Sequence, residues 1–186
     1  MKRAFDIFVS ALGFILLLPV FLLVSLVIKL TSRGPILHIS ERVGRNNQNF
    51  QMLKLRTMRI ETPHVATHQM GDPEQYLTPV GGFLRKSSLD ELPQLLNVLK
   101  GDMSLVGPRP ALFNQDDLVA LRTEKGVHQL MPGITGWAQI NGRDELPIPE
   151  KAELDAYYLT NRSLRLDLAI LFRTFFNVLK RDGVSH

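Results

Sequence analysis

Apolar positions along this chain fall into three rhythms. From Ile7 to Ile28 they run without a charge, IFVSALGFILLLPVFLLVSLVI, for 22 residues. A short alternation follows in ILHIS (36–40) and FQMLKLRTM (50–58), on either side of the polar ERVGRNNQN. Such alternation around a turn-rich loop predicts two strands. Helical spacing then takes over: Leu92, Leu95, Leu96 and Leu99 recur from Ser88 onward, and Gly101 supplies a stop. Further helices are expected over 111–126, from about Pro149 to Asn161, and over Leu164–Lys180. MPGITGWAQINGR (131–143) is expected to form a turn-rich loop with a buried Trp137, and 61–80 an irregular polar run.

The first segment is long enough for a bilayer, since 22 residues at helical rise span roughly 33 Å. It exceeds a signal-peptide core, and no small-residue cleavage site follows it. Its flanks carry Lys2 and Arg3 before and Lys29 and Arg33 after, so both ends ask for the cytoplasmic side. Pro19 near the middle removes a backbone donor, leaving halves of about 14–18 Å, each too short to cross. Two readings fit: a re-entrant helix-break-helix that enters and leaves by one leaflet, and a kinked spanning helix. In the last helix Leu164, Leu168, Leu171, Phe172, Phe175, Val178 and Leu179 share one face, with Arg165, Arg173 and Lys180 on another. That pattern suits a membrane-surface helix or a packed one.

Composition narrows the field. Hydrophobic residues make up 45% and charged residues 22%, as in a globular domain, and 186 residues suffice for one domain with an appendage. The net charge of +4 favours an anionic partner, namely phosphate, anionic lipid or nucleic acid. No recognised nucleic-acid motif accompanies the charge, so no nucleic-acid partner is expected. No G-x-x-x-x-G-K-[ST] loop is present, which argues against a P-loop nucleotide hydrolase. There are no cysteines and hence no disulfides or thiolate metal sites. His64 and His68 are four apart, but Pro63 and the lack of the acid of H-E-x-x-H argue against a metal pair.

The densest candidate chemistry lies in SLDELPQLLNVLKGDMSLVGPRP, Ser88 to Pro110. Taken locally, Ser88 and Glu91 fit a capping box, and Asp90 and Glu91 suit the positive end of a helix. The same helix start would border an anion site, with Arg85, Lys86 and Arg109 close in sequence. A carboxylate beside a phosphate site suits a Mg²⁺ ligand or a covalent phosphoryl acceptor.

KLRTM (54–58), LRKSSLDELPQLLNVLKGDMSLVGPRP (84–110) and MPGITGWAQINGR (131–143) together closely resemble the bacterial sugar transferase family, the monotopic polyprenyl-phosphate phosphoglycosyl transferases. The resemblance runs through essentially the whole chain and looks like the small form that lacks an additional multi-span region. It implies an α/β, mostly helical, monotopic membrane protein with a re-entrant broken helix over 1–33 and a cytoplasmic catalytic domain over 34–186. A small β-hairpin and amphipathic membrane-surface helices complete the expected fold. It also implies transfer of a phosphosugar from a UDP-sugar to undecaprenyl phosphate, with release of UMP, at the cytoplasmic face of the bacterial inner membrane. Inner-membrane lipids are then partners.

By the same resemblance Asp90 is the nucleophile, and Glu91 assists it. Both are candidate ligands of Mg²⁺. Arg85 is expected near the phosphate, and Gly107, Pro108, Arg109 and Pro110 at the nucleotide. Lys54, Arg143 and Asp155 are further substrate-binding candidates. Two departures stand out: Leu18 precedes Pro19 where the family break is often Ser-Pro, and Asn47 stands where Gly is common. A non-catalytic, basic membrane-anchored adaptor is the rival reading from another class.

Overall fold

A computed structural model describes residues 2–62, 72–142 and 146–180. His64, His68 and Arg143 lie outside them. The described chain is mostly helical with two small sheets. It opens with helix α1 (Lys2–Thr31), followed by strands β1 (Leu37–Val43) and β2 (Asn49–Leu55). Helices α2 (Gly81–Lys86) and α3 (Gln94–Lys100) precede strand β3 (Ser104–Val106) and helix α4 (Asp116–Glu124). Strand β4 (Gly133–Thr135), the single turn α5 (Trp137–Ile140), α6 (Ile148–Asn161) and α7 (Leu164–Lys180) complete it.

The predicted hairpin forms. β1 and β2 pair antiparallel from Leu37↔Leu55 to Val43↔Asn49. Its tip places Asn46 and Asn47 at positive φ, which asparagine tolerates better than most residues. The turn-rich loop expected at 131–143 contains more order than its composition suggests. Gly133–Thr135 forms a strand parallel to β3, and Trp137 opens α5 and stacks on Tyr157 at 5.2 Å.

Helix α1 departs from expectation in one respect. Lys2–Thr31 is one helix with Pro19 inside it, rather than two helices separated by a non-helical stretch. Proline removes one donor and disturbs one carbonyl, while the flanking aliphatic residues keep their own bonds.

Both ends of α1 are pinned to the rest of the protein. At the start, Lys2 reaches Asp167 of α7 at 2.8 Å, and Arg3 donates to the Val98 and Leu99 carbonyls that end α3. The Asp6 carboxylate accepts from the Ser104 hydroxyl at 2.8 Å and from the Leu105 N–H at 3.4 Å. At the other end Arg56 donates to the Ser32 hydroxyl and to the Ser32 and Arg33 carbonyls. Gly34 makes that approach possible. Its φ is +117°, and an added Cβ would lie 2.9 Å from the Arg56 guanidinium.

Between these clamps Ile15–Val20 are exposed at six consecutive positions. A helix lying along a protein surface would alternate contact and exposure, so this stretch stands clear of the protein on all sides. Phe5 and Val9 join the core formed by Leu105, Val106, Val127, Leu130, Ile140, Tyr158 and Ile170. Phe21, Val24 and Ile28 join a second cluster with Leu55 and Leu84.

Helix α7 has the predicted bounds, and its apolar residues divide between two faces. Asp167 and Ile170 are buried on one side, while Leu164, Leu168, Phe172, Phe175 and Phe176 are exposed on the other. The side chains of Leu179 and Lys180 lie outside the description.

Candidate active site

KLRT, residues 54–57, runs off the end of strand β2, and its four residues divide the work. Lys54 turns to the acidic pair, Leu55 enters the core beside Ile28, Arg56 clamps the exit of α1, and the Thr57 hydroxyl accepts from Arg85 Nε at 3.1 Å. Opposite β2, Asn97 acts as a surrogate strand partner. It accepts from the Leu53 N–H at 3.0 Å and donates to the Gln51 carbonyl at 2.8 Å. That pair of bonds fixes α3 against β2 and so fixes the acids relative to Lys54.

The acids do not open an α-helix as the capping box requires. Leu89–Glu91 is a single 3₁₀ turn, and α3 begins only at Gln94. Pro93 has no N–H and cannot join α-helical bonding from within a helix. Ser88 sits in the left-handed region at φ 55°, makes no side-chain cap and accepts from the Glu91 N–H only through its carbonyl. Helix N-caps normally take extended backbone. The expected capping box does not form, and Glu91's carboxylate is engaged by Lys54 and Arg109 instead.

Glu91 Oε1 lies 2.8 Å from Lys54 Nζ and 3.3 Å from Arg109 Nη2. Burial alone would raise its pKa, but Lys54 and Arg109 outweigh it and hold the carboxyl down at about 2. Asp90 is 7% exposed, and its nearest cation, Lys54, is 3.9 Å away. Burial dominates there and, with the Glu91 charge, raises its pKa to about 6 against the pull of Lys54, Arg109 and Arg85. Neighbouring acids are thus driven apart, one firmly ionised and the other more basic than an ordinary carboxylate.

The Gly107–Pro110 loop leaves β3 beside this pair. Gly107 donates to the Thr135 carbonyl at 2.9 Å, and a Cβ at Gly107 would meet the Met131 carbonyl at 2.2 Å, so only glycine fits. Pro108 and Pro110 are buried, with Arg109 half-exposed between them and reaching Glu91. The structure therefore brings Lys54, Arg85, Asp90, Glu91 and Arg109 into one charged cluster.

Asp155 is placed differently from expectation. It is 1% exposed, with its carboxylate taken by Arg122 rather than facing the cluster. Its pKa is raised by burial and held back by Arg122. Thr57 and Asn97 lie inside the quoted motifs and Arg122 outside them, but the sequence singles none of them out, because their partners Arg85, Gln51 and Asp155 are 28, 46 and 33 residues away.

The chain matches the family model described as bacterial sugar transferase over residues 1–181. It is 43% identical to the uncharacterised sugar transferase EpsL of Bacillus subtilis, across 100% of this chain and 90% of that protein. It is 44% identical to the UDP-glucose:undecaprenyl-phosphate glucose-1-phosphate transferase of Caulobacter vibrioides, across 98% of this chain and 71% of that one. Against the UDP-N-acetylgalactosamine-undecaprenyl-phosphate N-acetylgalactosaminephosphotransferase of Aeromonas hydrophila, identity is 38% over 98% of this chain but 44% of the relative.

The raised pKa of Asp90 has a stability consequence. A carboxyl whose pKa is higher folded than unfolded favours folding while protonated, and that contribution is lost as pH rises from about 4 to about 6. Asp90→Asn cannot ionise, so it should be more stable than the parent at pH 7.5 by on the order of 1–3 kcal/mol. Unfolding in detergent at pH 7.5 and 4.5 checks this: the gain should shrink by more than half at the lower pH. A loss of stability at pH 7.5 would contradict the assignment.

Proposed function

The chain belongs to the bacterial sugar transferase family, the polyprenyl-phosphate sugar-1-phosphate transferases, and on that premise we propose the chemistry of its charged cluster. The enzyme moves a sugar 1-phosphate from a UDP-sugar to undecaprenyl phosphate, giving UMP and a polyprenyl-diphosphate-linked sugar, the first membrane step of surface-glycan assembly. The observation that carries this reading is the split acidic pair, a more basic Asp90 beside a Glu91 kept ionised by two cations.

Asp90 supplies the nucleophile. With a pKa near 6 it is mostly ionised at neutral pH and more basic than an ordinary aspartate. A carboxylate oxygen attacks the sugar-bearing β-phosphorus, and the bond to the bridging oxygen breaks with its electron pair leaving on UMP. The product is a phosphosugar–aspartyl acyl phosphate. An oxygen of undecaprenyl phosphate then attacks the same phosphorus and frees the Asp90 carboxylate, in ping-pong order. Arg85, Arg109 and Lys54 offset the charge of an anionic nucleophile meeting an anionic diphosphate. Arg109 has a planar fork suited to phosphate oxygens, and Gly107, Pro108 and Pro110 hold it toward the nucleotide. Glu91 keeps Lys54 and Arg109 in place. Arg143 stands as a further substrate-binding candidate from its sequence motif.

The donor set also fits Mg²⁺. Magnesium usually takes one or two carboxylates, with substrate phosphates and water completing its shell, so it needs no all-protein cage. Asp90 and Glu91 would hold it, and no group of three acidic, histidine or cysteine ligands occurs among the described residues. When bound, the ion neutralises diphosphate charge.

The membrane placement we propose rests on α1. With both of its ends clamped to the same body and its apolar middle standing free, α1 dips into and out of one leaflet of the inner membrane by bending at Pro19 without ceasing to be helical. Lys2, Arg3, Lys29 and Arg33 remain on the cytoplasmic side. The exposed Leu and Phe stripe of α7 lies on the same membrane surface.

Two measurements test these readings. In a UMP-release assay with a panel of UDP-sugars and undecaprenyl phosphate, the parent should turn over and folded Asp90→Asn should not. For the parent, kcat/KM should rise with pH through about 6 as Asp90 ionises. Turnover by Asp90→Asn would remove the nucleophile, whereas no turnover by the parent with any UDP-sugar would favour the adaptor reading. For topology, the cysteine-free chain permits single-cysteine labelling in cells. Ala4→Cys and Thr31→Cys should both label from the cytoplasm only, and periplasmic labelling of Ala4→Cys would reject the re-entrant helix.

A further inference from the structure

The loop carrying Arg109 is tied down at successive carbonyls. The Tyr158 hydroxyl donates to Val106 O at 3.3 Å, the Gly133 N–H to Pro108 O at 2.9 Å, and Arg42 Nη1 to Pro110 O at 3.4 Å. The carbonyl of Arg109 itself accepts from Nη1 of Arg122 at 2.8 Å. The rest of that guanidinium turns the other way. Its Nε and Nη2 donate to one oxygen of Asp155, at 2.9 and 2.6 Å. Arg122 and Asp155 are 9% and 1% exposed, and they join α4 to α6 behind the loop.

A buried ion pair is a weak stabiliser by itself, because an apolar pair of similar shape often does as well. Here the third arm gives it a use. Pro110 already confines Arg109 to extended backbone. The bond from Arg122 fixes the plane of the Arg109 carbonyl and thereby the direction in which its side chain leaves the loop toward Glu91.

We propose that Arg122 and Asp155 form a latch that positions Arg109 for the phosphates of the nucleotide donor. Both are positioning residues, and neither touches substrate. Asp155 orients the Arg122 fork, and Arg122 orients Arg109. This rests on the reading of Arg109 as a nucleotide contact, and the test separates the two.

UMP binding is measured by calorimetry, alongside steady-state kinetics, for full-length parent, Arg122→Lys, Asp155→Asn, Arg109→Ala and the Arg109→Ala/Arg122→Lys double variant. Lysine keeps a charge opposite Asp155 but cannot hold Asp155 and the Arg109 carbonyl together in one planar fork. Arg122→Lys and Asp155→Asn, each still folded by thermal unfolding, should weaken UMP binding and raise KM for the UDP-sugar about tenfold, the loss of one charge-assisted hydrogen bond. The kcat/KM for undecaprenyl phosphate, which reports the second half-reaction, should change by less than about threefold, well short of that loss. In the Arg109→Ala background, Arg122→Lys should add nothing.

Additive effects in that cycle, or unchanged UMP affinity in folded Arg122→Lys and Asp155→Asn, would overturn the latch while leaving Arg109 as a contact. Unchanged UMP affinity in Arg109→Ala would overturn the contact and the latch with it.

Discussion

Two carboxylates side by side in a sheltered cluster repel each other, and the pairing of Glu91 with Lys54 and Arg109 is what makes the arrangement tenable. Glu91 absorbs both cations at close range, so Asp90 feels burial more than attraction and stays comparatively basic. Each neighbouring element serves this division. Asn97 sets α3 against β2 so that Lys54 meets the acids, and Gly107 lets the Arg109 loop lie against β4.

The long apolar helix α1 is built into the same frame. Arg56, two residues beyond Lys54, grips the exit of α1, while Asp6 near its start holds β3, the strand that feeds the Arg109 loop. Tyr158 bridges Asp167 at 2.6 Å and the Val106 carbonyl, and burial keeps its hydroxyl protonated as the donor. This helix and the charged cluster therefore share supports. In the proposed topology, a lipid-borne acceptor presented beside α1 would meet a site supported by that same helix.

Much of this was legible in the sequence, for identifiable reasons. The β1–β2 hairpin has alternation and a polar turn, and α7 has a long amphipathic period, so local pattern carried both. Strands β3 and β4 escaped because each has three residues, too few to alternate. The start of α3 was misplaced because the Leu period and the Ser–Glu spacing outvoted Pro93, whose missing N–H decides the matter locally. At Pro19 one lost donor does not end the helix, because the flanking aliphatic residues keep their own bonds. Motif resemblance singled out Asp90, Glu91, Lys54, Arg85 and Arg109, which the fold brings together, and Asp155, whose carboxylate pairs with Arg122 behind the Arg109 loop. The Arg122–Asp155 pair bridges 33 residues of chain and becomes visible only when α4 and α6 pack.

The most direct test of the central claim is mass spectrometry of the enzyme after brief incubation with UDP-sugar and no lipid acceptor. The account predicts one phosphosugar on the tryptic peptide from Ser87 to Lys100, localised by fragmentation to Asp90 and discharged on adding undecaprenyl phosphate. An adduct on Glu91, or turnover to lipid-linked product with Asp90 unmodified throughout, would contradict it.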